Sequence, residues 1–137
     1  MSKYRRPAKN SKYYVEKRLY DAAVHWVRLY PDWVQELKEY DTAQGIRYDR
    51  VQVQTSGNFD PTESAGIRKA ELSQKVELIE DAAREAVKNN VLRMWILYGV
   101  TNGIPFDQLS AKGIPCGKDM FYESRRAFYY QVAQRIR

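Results

Sequence analysis

At 137 residues, with 44% hydrophobic and 29% charged side chains, the chain has the size and composition of one folded domain, or of one domain with a flexible arm. One cysteine and one histidine exclude an internal disulfide framework and a Cys/His zinc site, and no run approaches the ~20 apolar residues of a membrane span. Lys and Arg outnumber Asp and Glu by 23 to 17, and the surplus is uneven: +6 over residues 1–30, −3 over 31–60, zero over 61–100 and +3 over 101–137.

Residues 1–11 are polar and basic without periodicity, which predicts a mobile arm. From Lys12 to Leu29 the spacing turns helical, with Tyr13, Tyr20, Ala23, Val24 and Val27 on one side. Pro31 should end this helix, because the residue before a proline avoids the α region. Trp33, Val34, Leu37 and Tyr40 predict a second, shorter helix to about Ala43, with Gly45 as its stop. Residues 46–59 read as a surface loop or a short hairpin. Asp60-Pro61-Thr62-Glu63 is a helix start, with a capping carboxylate, a proline at the first helical position and a glutamate three residues after the cap. Ile67, Leu72, Val76, Ile79, Ala83 and Ala86 carry that helix to about Lys88. Asn89-Asn90 breaks it, and Leu92, Trp95 and Ile96 mark a further helix over 91–98.

The last forty residues hold the informative pattern. Ile104 to Lys112 predicts a short helix with Phe106 and Leu109 on one face. Gly113-Ile114-Pro115-Cys116-Gly117 is a turn holding one apolar plug, and Lys118 opens a longer basic helix. A short helix, a tight glycine-containing turn and a longer helix make the helix-turn-helix plan. On a wheel of ~100° per residue, Met120, Phe121, Ser124, Ala127, Phe128, Gln131 and Val132 form the expected buried face. Asp119, Tyr122, Arg126 and Tyr130 point the other way, flanked by Lys118, Tyr129 and Glu123, with Arg125 at the edge of the apolar face. Such a set suits a major groove: Arg pairs with guanine, acidic groups accept from cytosine, and Lys reaches phosphate. Arg126, Tyr122 and Asp119 are the candidates for base edges, and Lys118, Arg125 and Tyr129 for phosphate or groove-edge contacts. A solvated amphipathic helix, or a protein–protein interface, is the alternative.

Two stretches carry a family resemblance. Pro61-Thr62-Glu63-Ser64-Ala65-Gly66-Ile67-Arg68-Lys69 and the segment from Ile114 to Tyr130 (Ile-Pro-Cys-Gly-Lys-Asp-Met-Phe-Tyr-Glu-Ser-Arg-Arg-Ala-Phe-Tyr-Tyr) resemble small phage and prophage regulators of the RinA/ArpU type. These are late-gene transcription regulators of phages of low-GC Gram-positive bacteria, with a C-terminal part similar to the helix-turn-helix of sigma factors. The resemblance covers roughly residues 60–137. It implies promoter binding through the helix that begins near Lys118 in a bacterial host cell, where the single cysteine already reads as cytoplasmic.

Catalysis finds little support. His25, between Val24 and Trp26, reads as a packed or capping imidazole, and Cys116 as a small residue filling a turn, although a helix N-terminus can activate a thiol. Asp32, Glu36 and Lys38 imitate a nuclease pattern at too short a spacing, and no glycine-rich phosphate loop exists. Trp26, Trp33, Trp95 and the N-terminal tyrosines serve either as core or as stacking platforms. Lys3, Arg5, Arg6, Lys9 and Lys12 either follow a groove or solubilise a tail.

The expectation is an all-α protein: a basic arm over 1–11, an N-terminal helical region with a loop over 12–59, and a long helix with a C-terminal helix-turn-helix over 60–137. Its expected partner is double-stranded DNA, with bacterial RNA polymerase and a homodimer partner as further candidates. It is expected to be no enzyme and to need no metal or cofactor. A small terminase-like packaging protein and an adaptor for RNA polymerase or another host protein are the alternatives.

Overall fold

The computed structural model describes residues 6–51 and 61–137, with side chains described over 6–41 and 65–137. Five helices account for the secondary structure of these residues: α1 Lys17–Val51, α2 Pro61–Ala86, α3 Asn90–Thr101, α4 Phe106–Lys112 and α5 Lys118–Ile136. The chain is all-α, and none of the described helices is long and apolar enough to cross a membrane.

The N-terminal helices differ from expectation. Neither Pro31 nor Gly45 stops the chain: α1 is one helix of 35 residues, and it begins at Lys17 rather than Lys12. Pro31 removes one backbone hydrogen bond, an interruption worth about 3 kcal/mol in an isolated helix. Packing on both sides of it offsets that cost, with Tyr20, Ala23 and Val27 buried before the proline and Trp33 after it. Residues 46–51, expected in a loop or hairpin, belong to α1. The remainder of that stretch, and the expected cap Asp60, lie outside the described residues.

Helices α1, α2 and α5 pack on one another, and α3 lies against all three. The core is built from Tyr20, Ala23 and Val27 of α1, Leu72, Val76, Ile79 and Ala83 of α2, Ile96 of α3, and Phe121, Phe128 and Val132 of α5. The α2 stripe is the one read from spacing, except that Ile67 at its start is 57% exposed. Polar links tie α1 to α2. Tyr30 donates its hydroxyl to Glu80 Oε2 at 2.7 Å, Arg68 pairs with Glu36 at 3.0 Å, and Lys69 pairs with Asp41 at 2.6 Å. Trp26 and Trp33 meet edge to face at 5.3 Å, with Lys75 Nζ 5.3 Å from the Trp33 ring centre. These tryptophans belong to the α1–α2 seam.

The tripeptide Gly-Ile-Pro occurs twice, ten residues apart, and ends two successive helices in the same way. After α3, Gly103 donates to the Val100 carbonyl and Ile104 to that of Gly99. After α4, Gly113 donates to the Ser110 carbonyl and Ile114 to that of Leu109. This is the Schellman arrangement, in which a glycine at positive φ lets the chain turn back over the last carbonyls and an apolar residue follows. Gly113 has φ +103°, and Ile114 after it is buried. Asn89 opens α3, accepting a bond from the Leu92 amide at 2.9 Å.

Candidate nucleic-acid interface

Helix α4, the turn 113–117 and α5 stand in the expected order and with nearly the expected bounds. Leu109 of α4 is fully buried and seats on Gly99 of α3: a Cβ at Gly99 would lie 2.5 Å from Leu109 Cδ1. Phe106 of α4 meets Phe121 of α5 with ring centres 5.5 Å apart. These contacts fix where the first turns of α5 emerge.

Lys118, Asp119 and Glu123 are exposed, and Tyr122 and Arg126 are half-buried. Asp119, Tyr122, Glu123 and Arg126, with Met120, line one open depression of about 530 Å³. Glu123 pairs with Arg126 at 3.5 Å. Met120, expected to be buried, is 54% exposed at the rim.

Two predicted contact residues are misplaced. Tyr129 is buried, with its ring 5.6 Å from that of Tyr20, and Arg125 is 9% exposed. The Arg125 guanidinium lies over the Tyr122 ring at 4.8 Å, and its side chain lines a closed crevice of about 10 Å³ beside Gly99, Gly103 and Phe106. Neither residue is placed to touch a groove. The reason is that α5 buries a second side. Helices α1, α2 and α3 all pack on it, so the apolar arc widens and swings past Arg125, Tyr129 and Ala133, a shift that one sequence period does not reveal.

Of the arm expected over 1–11, residues 1–5 lie outside the described residues; residues 6–16 form a strap laid along α5. Ser11 and Tyr14 amides close two successive turns onto the Ala8 and Ser11 carbonyls, and Val15 is buried. Arg6 Nη1 donates to the Val15 carbonyl at 3.1 Å and to the Tyr14 hydroxyl at 3.3 Å. Tyr13 meets Tyr130 of α5 edge to face at 5.9 Å, and Lys12 Nζ lies 3.8 Å from Glu123. Arg6, Lys9, Ser11, Tyr14 and Arg126 line a second depression of about 670 Å³, which meets the first at Arg126. The charge of the arm was legible in the sequence. Its attachment was not, although the Tyr13-Tyr14-Val15 run beside it was the available signal.

Cys116 is half-buried, and burial pushes its thiol above the ordinary range, away from a reactive thiolate. His25 is exposed on α1 rather than packed. Glu36 is occupied by Arg68, and no group of acidic, His and Cys side chains among the described residues could hold a metal ion. Comparison with protein-family models, curated proteins and solved structures gives no match.

Proposed function

We propose that this protein binds double-stranded DNA in a sequence-specific way and regulates transcription of phage late genes, as the resemblance of residues 60–137 implies. One observation carries the reading: the first turns of α5, the second helix of a helix-turn-helix, present Asp119, Tyr122, Glu123 and Arg126 together on one accessible face, with Lys118 exposed at the start of the helix. A recognition helix enters the major groove with its N-terminal residues against base edges. In that pose Asp119 accepts from cytosine N4, Tyr122 and Glu123 lie beside it, and Lys118 reaches a phosphate. The basic strap flanks the same face and supplies the sequence-independent attraction.

Anisotropy titration of a late-promoter duplex and a shuffled duplex, across a salt series, tests the reading. Preference for the promoter, with affinity falling steeply as salt rises, is the expected result. Asp119→Ala should narrow that preference by roughly 1–3 kcal/mol, the worth of one good base contact. A ratio unchanged by Asp119→Ala removes Asp119 from the base-reading set, and no promoter preference in the wild type refutes the reading.

A second reading is an adaptor for RNA polymerase or another host protein. It is favoured by the side of α3 facing away from the core, where Val91, Met94 and Tyr98 are 60%, 72% and 44% exposed. An adaptor would bind its partner without DNA and with weak salt dependence.

A further inference from the structure

We infer that the cleft between the strap and α5, lined by Arg6, Lys9, Ser11, Tyr14 and Arg126, is a binding site for a phosphate of a nucleic-acid backbone. This inference rests on the proposed DNA-binding role and assigns one part of it. The two basic segments of the sequence, 1–30 and 101–137, meet here in space. Arg6 and Lys9 come from one and Arg126 from the other. Bringing three cations around one depression costs self-repulsion, and apolar packing and hydrogen bonds help to hold them there. Val15 is buried, Tyr13 packs on Tyr130, and Arg6 is anchored to the Val15 carbonyl.

No carboxylate lines the cleft. Glu123 sits on the neighbouring face between Lys12 at 3.8 Å and Arg126 at 3.5 Å. Both pairs are solvent-exposed and weak, so an arriving phosphate can displace Glu123 from Arg126 at little cost. Two hydroxyls complete the donor set. Ser11 Oγ accepts from the Tyr13 amide at 3.1 Å, and the Tyr14 oxygen accepts from Arg6, so each keeps its own proton to donate to an anion. A cationic rim with hydroxyl donors and no acid recognises a phosphodiester rather than a base edge.

The position along α5 agrees. Arg126 lies two turns beyond Asp119, about 10 Å further along the axis at 1.5 Å per residue. Where Asp119 and Tyr122 face base edges, that distance carries Arg126 towards the wall of the groove, with the strap outside it. Arg126 is thereby assigned to the backbone and not to guanine.

The test is Lys9→Ala and Arg126→Ala, each compared with the wild type on promoter and shuffled duplexes across a salt series, with circular dichroism to verify folding. Lys88→Ala is the control, since Lys88 pairs with Glu85 on α2 and lines neither depression. Each cleft variant should weaken binding to both duplexes by the same factor, roughly tenfold for one charged hydrogen bond. The slope of log affinity against log salt should shrink by about 0.9 for each lost contact. Folded variants with wild-type affinity and slope overturn the cleft and leave the DNA-reading proposal standing. Loss on the promoter alone also overturns it for Arg126, which would then read a base. Equal binding of both duplexes by the wild type, weakened in the cleft variants, overturns sequence-specific regulation while the phosphate site stands. A wild type that binds no duplex overturns both.

Discussion

The seat of α4 on α3 yields a sharp thermodynamic prediction. Gly99 lies inside α3, where alanine would be favoured over glycine by about 1 kcal/mol. A methyl there would meet Leu109 Cδ1 at 2.5 Å, Cδ2 at 3.2 Å and Cγ at 3.4 Å. Leu109 is fully buried, so it can yield only by disturbing its neighbours, an overpacking cost of about 1–3 kcal/mol. Gly99→Ala should therefore destabilise the protein by about 1 kcal/mol net, within the spread of those two effects. Leu109→Ala should cost about 2–5 kcal/mol through lost burial and the cavity it leaves. In that background the same Gly99→Ala change meets open space. It should then stabilise by about 1 kcal/mol, giving a coupling of about 2 kcal/mol with reversal of sign. Equilibrium urea unfolding of the four proteins reads this from the midpoints, provided the slopes agree. If Gly99→Ala has the same effect in both backgrounds, within about 0.5 kcal/mol, then α4 does not sit on Gly99.

Two further perturbations probe the helical frame. Burial first, and then the hydrogen bond to Glu80, raise the Tyr30 phenol well above its ordinary value near 10. The folded state therefore holds this proton more tightly than the unfolded chain. The resulting stability is fully present below about pH 10 and is lost as pH rises beyond it. Tyr30→Phe should cost about 1 kcal/mol at neutral pH and flatten the alkaline decline, as measured by urea unfolding at pH 8 and pH 11. Tyr20, also raised chiefly by burial, should keep part of that decline in the variant. Asn89→Ala should cost about 1 kcal/mol by leaving the Leu92 amide uncapped, whereas Asn89→Asp should hold stability near wild type; thermal unfolding of the two variants separates them.

What could be read from the sequence follows the range of the forces involved. The α2 stripe of Leu72, Val76, Ile79 and Ala83, the break at Asn89 and the bounds of α4 and α5 depend on local spacing and local capping, and all were legible. The stop at Pro31 was a sound local expectation, overruled by core contacts on both sides of the proline. Arg125 and Tyr129 were misjudged because a helix packed by three neighbours buries more than one stripe, and their number is set by tertiary structure. At the candidate site, Lys118, Asp119, Tyr122, Glu123 and Arg126 were legible as one outward face. The strap beside them was visible only as charge, since its docking depends on residues more than a hundred positions away. The paired Gly-Ile-Pro segments were written in plain view, and the cap geometry gives them their meaning.

The docking of the strap on α5 also has a temporal consequence. Tyr13 and Tyr130 lie more than a hundred residues apart, so their contact closes a long loop. During synthesis, α1 and α2 can pair as they leave the ribosome, but the strap has nothing to lie on until α5 has been translated. The cationic cleft is therefore assembled last. A polypeptide stalled or cleaved before α5 would carry the charges of residues 6–12 without the arrangement that gives them a target. The cleft is thus not organised until the helix-turn-helix itself is present.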